Sequence, residues 1–199
     1  GHSEATLTST IISTLLTNNQ TVDDVIETMA KTLPVSSVNG AAYSTFSIIQ
    51  VFKNGQVYIA EYDNPKCTFI KKNKLTSLPF EYRDVDGKTL RECTIQAELG
   101  DTLMIASDGC IYCSDNNTMN LEWNDRALSE YALEACIDSR TAAQMAKKVN
   151  FKCINLYGGR PTDDVSVAVC KFAPKRVVNI RTGPPKSREL DSQYIHDFM

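Results

Sequence analysis

Two acidic clusters in this 199-residue chain are the residues best suited to chemistry: Asp108, followed at once by Gly109, and the pair Asp163-Asp164. Asp108 closes the stretch Gly100-Asp101-Thr102-Leu103-Met104-Ile105-Ala106-Ser107-Asp108-Gly109, which reads as a turn, a short apolar run and then a carboxylate. A continuous apolar run suits a strand buried on both faces, so Asp108 is expected where that strand leaves the core. Gly109 would let the backbone turn sharply there or approach a neighbour closely. Asp163-Asp164 stands at the opposite kind of position, immediately before the run Val165-Ser166-Val167-Ala168-Val169-Cys170-Lys171-Phe172. If the two strands pair antiparallel, the acidic ends meet at one edge of a sheet. Carboxylates converging without a basic partner repel unless a cation compensates them. An all-oxygen donor set selects a hard ion, Mg²⁺ or Mn²⁺, over zinc. Read from spacing alone, the alternative is that both clusters cap turns in water.

Other reactive residue types carry less. Cys110 and Cys113 form a C-x-x-C, the spacing of a redox pair or of half a zinc site. No second such pair completes a zinc site, and the two histidines, His2 and His196, stand near the chain ends, so buried or surface thiols are the expected reading. Arg160, next to Gly158-Gly159, could meet a substrate phosphate from the loop ahead of Asp163, although a solvated arginine fits that loop as well.

The elements that must position these residues follow from periodicity. Apolar residues Ala5, Ile11, Ile12, Leu15 and Leu16 predict a helix over 4–17. Thr21 then reads as an N-cap, with Asp23 and Asp24 in the first turn of a second helix that Pro34 ends. Aromatic and β-branched runs over 43–52 and 57–62 flank Asn54-Gly55, a strong hairpin signal. Further short strands are expected over 67–71, 74–77 and 90–97, then the Gly100 stretch as the next strand of a largely antiparallel sheet. Two helices, over 125–136 and 141–156, precede the closing strand over 165–172. The order predicts an α+β fold in which helices cover antiparallel sheet, as a domain over residues 1–173. Residues 174–199 read as an extension, with a possible strand over 177–180, loop chemistry at Gly183-Pro184-Pro185 and a helix-like run from Leu190.

Composition excludes several classes. With 42% hydrophobic residues and a net charge of −3, the chain reads as an ordinary globular protein. It has no basic block to meet nucleic acid, and no apolar run approaches the length of a membrane-spanning helix. Seven scattered cysteines in a chain without an export signal fit reduced thiols and a cytoplasmic location.

The Gly100–Gly109 stretch, two helices, and then Pro161-Thr162-Asp163-Asp164-Val165-Ser166-Val167-Ala168-Val169 resemble the metal-dependent protein phosphatases, more narrowly the sporulation stage II protein E type, which is related to the type 2C serine/threonine phosphatases. The Tyr58 to Pro65 segment and Ala5-Thr6-Leu7-Thr8-Ser9-Thr10 extend the likeness over about residues 4–172. The resemblance implies a sandwich of two antiparallel sheets flanked by helices, and two Mn²⁺ or Mg²⁺ ions that activate a water to attack a phosphoserine or phosphothreonine in a protein substrate. It makes Asp108 and Asp163 metal ligands, with Gly109 and Asp164 beside them, and no catalytic group beyond the ligands. The family's first metal motif, an Asp-Gly pair on a strand before the first helix whose Asp bridges both ions, has no counterpart in these residues. Two divalent ions about 4 Å apart need a bridging anion, so the expectation is a phosphatase in the parent protein and an inactive or nearly inactive piece here. Two further expectations compete with catalysis: a non-catalytic module of the same fold that binds a partner, and a thiol redox protein using Cys110 and Cys113. A sheet edge left unpaired by the absent strand would favour a homodimer.

Overall fold

The computed structural model describes residues 2–18, 20–32, 45–115 and 118–174. The elements run α1 (His2–Thr17), α2 (Val22–Thr32), β1 (Phe46–Val51), β2 (Gln56–Tyr62), β3 (Thr68–Lys71), β4 (Lys74–Thr76), β5 (Glu81–Val85), β6 (Lys88–Gln96), β7 (Thr102–Ala106), β8 (Ser114–Asp115), β9 (Thr118–Met119), α3 (Asp125–Ile137), α4 (Ala142–Leu156) and β10 (Val167–Lys171). Two four-stranded antiparallel sheets result, one in the order β1-β2-β6-β5 and the other in the order β10-β7-β3-β4. The α+β sandwich expected above is therefore the observed fold. Pro34, the possible strand over 177–180 and the run from Leu190 lie outside the described residues.

Three apolar clusters explain the layering. Val57 and Ile59 of β2 meet Phe69 of β3 and Leu103 of β7, which joins the sheets face to face. The other face of the first sheet, through Phe46, Ile48, Ala60 and Tyr62, takes Val22, Val25, Ile26 and Met29 of α2, with Ile11, Ile12 and Leu15 of α1 packed on them. On the second sheet, Ile70, Met104 and Ala106 take Leu128, Ala132 and Ala135 of α3 and Met145, Val149 and Cys153 of α4. Side chains alternate faces along a strand, so β7 sends Leu103 to one cluster and Met104 to the other. This is why its sequence is a continuous apolar run.

Local signals set the element ends. At Asn54-Gly55, Gly55 adopts φ +83° and the Asn54 side chain accepts the Gln56 N–H at 3.0 Å, which closes the β1–β2 hairpin. Thr21 accepts the Asp24 N–H at 3.1 Å and Asp24 accepts the Thr21 N–H at 3.0 Å, a reciprocal cap on α2. Thr141, expected inside the fourth helix, is instead its N-cap: its hydroxyl accepts the Gln144 N–H at 3.1 Å, and Gln144 accepts back from the Thr141 N–H.

Candidate metal-binding site

β7 and β10 are hydrogen-bonded antiparallel neighbours with Ala106 opposite Val167. The end of one strand and the start of the other therefore share one edge, and the Asp108 and Asp163 segments come together there. Asp108 opens a single turn of 3-10 helix, Asp108–Cys110, in place of the simple Asp-Gly turn its sequence suggests. Its own carboxylate accepts the Gly109 N–H at 3.0 Å. In the facing loop the Asp163 carboxylate accepts the Asp164 N–H at 2.8 Å. Each carboxylate is thus hydrogen-bonded to the N–H of the residue that follows it.

Gly109 sets the spacing between the two segments. A Cβ built on Gly109 would stand 2.5 Å from the Asp164 carbonyl oxygen and 3.3 Å from the Asp163 Cβ. Its glycine character is needed for that close approach, since no side chain fits between the two backbones.

The segments are then locked by groups far apart in sequence. Ser107 Oγ donates to the Asp164 carbonyl at 2.6 Å and accepts the Ser166 N–H at 2.9 Å, while the Ser107 N–H donates to the Ser166 carbonyl at 2.9 Å. From the C-cap of α4, the Tyr157 hydroxyl donates to the Gly109 carbonyl at 2.9 Å, and from within α4 the Asn150 amide donates to the Val165 carbonyl at 2.8 Å. Behind the turn, Trp123 Nε1 donates to the Cys110 carbonyl at 2.7 Å. None of Ser107, Ser166, Asn150 or Tyr157 stood out in the sequence; only the position of Ser107, one residue ahead of Asp108 on a strand end, hinted at such a role.

Electrostatics fit a cation. Partial burial raises the Asp108 pKa above the ordinary carboxylate value, and the negative charges of Asp163 and, more weakly, Asp63 raise it further. Asp63, read from sequence as part of a turn, thus contributes to the field at Asp108; it sits just after β2 at φ +56°. The donors are hard oxygens in mutual repulsion, an arrangement that a divalent cation relieves. The structure thus brings together the two carboxylates expected from the sequence as metal ligands, Asp108 and Asp163, while the described residues bring no three metal-ligating side chains together. Asp164 is exposed, and its carbonyl rather than its side chain presses on Gly109.

Arg160 lies exposed in the loop before Asp163, its N–H donating to the Tyr157 carbonyl at 3.2 Å, and its guanidinium has no ion-pair partner among the described residues. Cys110 and Cys113 are free thiols with no exposed surface, and burial pushes the Cys113 pKa up to about 11. Cys113 Sγ donates to the Gly109 and Cys110 carbonyls, so these thiols pack the underside of the Asp108 turn.

The sequence model of the family described as Stage II sporulation protein E (SpoIIE) matches residues 1–173. No curated protein matches the chain. Among solved structures it is similar to the Mn-presoaked phosphatase domain of the cell fate determinant SpoIIE from Bacillus subtilis, with a TM-score of 0.53, 15% identity, and coverage of 84% of this chain and 76% of that one. It is also similar to the RsbU and RsbW domains of Rv1364c from Mycobacterium tuberculosis, with a TM-score of 0.63, 15% identity, and coverage of 85% and 47%. The photosystem II phosphatase PBCP gives a TM-score of 0.50, 16% identity, and coverage of 79% and 74%. At these identities the structural likeness is one of fold.

Proposed function

Because the chain belongs to the stage II sporulation protein E family, we propose that it is the core of a metal-dependent phosphatase in which Asp108 and Asp163 hold a Mn²⁺ or Mg²⁺ ion for hydrolysis of phosphoserine or phosphothreonine in a protein. The observation that carries this reading is the convergence of the two carboxylates on one edge, set by the β7–β10 pairing and by the close approach at Gly109. A divalent ion bound there supplies Lewis acidity toward a phosphoryl oxygen and lowers the pKa of a bound water.

The chain's own residues do the rest by position. Ser107 and Tyr157 fix the carbonyls on either side of the contact, so the carboxylates keep their separation without reorganising when charge develops. Arg160, exposed in the adjoining loop, would meet substrate phosphate as a planar donor.

The test is hydrolysis of a phosphoserine peptide by the full-length protein with added Mn²⁺. Phosphate release that depends on Mn²⁺ and is lost in Asp108→Asn is expected. No release with metal, or equal rates in the variant, overturns the reading; cation binding without any release favours a non-catalytic module of the same fold.

A further inference from the structure

The outer face of α4 carries a groove of about 610 Å³, lined by Asp138, Arg140, Gln144, Lys147, Lys148 and Phe151, on the side of the helix away from the sheet. It sets one exposed aromatic side chain, Phe151, among positive charge, with the exposed Ile137 next in sequence to its lining residue Asp138. Phe151 is 62% exposed, and Ile137, in the last turn of α3 just before Asp138, is 59% exposed. Lys148 is bound to Asp138, at 3.7 Å from its carboxylate and 3.1 Å from its carbonyl. That pairing leaves Arg140 and Lys147 as cations with no ion-pair partner among the described residues. The groove therefore suits an occupant that is apolar on one side and acidic beside it.

The chain contains such a segment beyond β10. In residues 188–199 (Arg188-Glu189-Leu190-Asp191-Ser192-Gln193-Tyr194-Ile195-His196-Asp197-Phe198-Met199), Leu190, Tyr194 and Phe198 recur at the i, i+4, i+8 spacing of one helix face. Glu189, Asp191 and Asp197 make the segment acidic. The place where the chain leaves the sheet also favours this occupant. Lys171, the last residue of β10, donates its ammonium to the Ser139 carbonyl at 2.8 Å and to the Cys136 carbonyl at 3.3 Å, so β10 ends against the α3–α4 junction that forms one rim of the groove. Thirteen residues, 175–187, separate the described fold from Arg188. Extended, they reach roughly 43 Å, about twice the ~22 Å length of a 15-residue helix such as α4.

We propose that residues 188–199 dock intramolecularly on this groove, with the Leu190, Tyr194 and Phe198 side on Phe151 and Ile137 and the acidic residues against Arg140 and Lys147. The occupant is the chain's own tail. A tethered segment needs only weak intrinsic affinity, because its effective concentration near the groove is in the millimolar range. Docking also bears on the candidate metal site: α4 carries Asn150 and is capped at its C-terminus by Tyr157, so a segment seated on its outer face braces the helix that positions the groups holding the Val165 and Gly109 carbonyls. The proposal does not depend on the phosphatase reading.

Hydrogen exchange on the 199-residue chain, followed by mass spectrometry at two protein concentrations, tests it. Amides of 188–199 are expected to exchange roughly tenfold or more slowly than in a free peptide of that sequence, equally at both concentrations. Phe151→Ser and Lys147→Glu are each expected to return them to the peptide rate while the buried amides of α4 stay protected. Reversing both sides together, Lys147→Glu and Arg140→Glu with Glu189→Lys and Asp191→Lys, is expected to restore protection. If the groove substitutions loosen α4 itself, Leu190→Ser with Phe198→Ser, which leaves the groove untouched, must also free the tail. Peptide-rate exchange in the unsubstituted chain, protection that survives these changes, or protection that grows with concentration and so comes from a second copy would each overturn the proposal.

Discussion

Gly109→Ala is expected to separate the two carboxylate segments, lowering stability and weakening divalent-cation binding together. The added methyl would stand 2.5 Å from the Asp164 carbonyl oxygen, a backbone atom that can yield only by moving the whole loop. That loop is tied to β7 through Ser107, at 2.6 Å from the same oxygen, so the strain falls on a well-made hydrogen bond. Overpacking of this kind costs about 1–3 kcal/mol, and each kcal/mol lowers Tm by about 2–4 °C in a chain of this size. The same methyl would stand 3.3 Å from the Asp163 Cβ, so the Asp108 and Asp163 segments are pushed apart and the cation affinity is expected to fall roughly tenfold or more. Thermal melts with and without Mn²⁺ measure both effects. An unchanged Tm together with an unchanged metal-induced shift would show that the close approach is dispensable.

Arg91→Met is expected to cost more, and to do so in a pH-dependent way. Glu61 of β2 has no exposed surface; it faces the space between the sheets with Val57 and Ile59, and its neighbour across β6 is Arg91. One carboxylate oxygen accepts the Cys67 N–H at 2.7 Å and the other lies 3.2 Å from Arg91 Nη2, which also donates to the Asn64 carbonyl. Burial pushes the Glu61 pKa from its ordinary 4.5 up to about 7, with Arg91 opposing the rise. A folded-state pKa above the unfolded one means that the neutral form favours folding. The stability it contributes is full below about 4.5 and drains away as pH climbs through about 7. Without Arg91 the carboxylate loses its counter-charge, so the ionised form is penalised further above pH 7. Removing one partner of a buried pair costs about 3–5 kcal/mol, expected here at pH 8, with a smaller loss at pH 5 where Glu61 is neutral in both proteins. Urea unfolding at the two pH values measures the difference. Equal losses at both would show that packing, not charge, is what Arg91 supplies.

The same two regions show what a sequence reveals and what it hides. The β1–β2 hairpin was readable because Asn54-Gly55 encodes its turn locally, and α2 because Thr21 and Asp24 cap it within four residues. The shared edge of Asp108 and Asp163 was readable because both stand beside apolar runs whose pairing brings them together. β5 was not: Glu81-Tyr82-Arg83-Asp84-Val85 has almost no apolar face, and it is a strand because β6 pairs with it across the Asp86-Gly87 turn. The switch of β7 from one sheet to the other was also invisible locally, since β7 pairs with β3 across the intervening β4, β5 and β6. The locks on the site belong to the same class. Ser107 to Asp164 spans 57 residues and Tyr157 to Gly109 spans 48, and no periodicity encodes such contacts. The buried Glu61 hides for the opposite reason, because in the sequence it is one polar residue in a strand, with nothing local to show that both faces of the sheet are covered.

The central claim, that Asp108 and Asp163 form a site for a hard divalent cation, is tested most directly by titrating Mn²⁺ into the protein and following the free ion by electron paramagnetic resonance. Saturable binding of one Mn²⁺ per chain, weakened roughly tenfold or more in both Asp108→Asn and Asp163→Asn and competed by Mg²⁺, is the result the structure predicts. Absence of saturable binding, or binding that both variants retain at full strength, would contradict it.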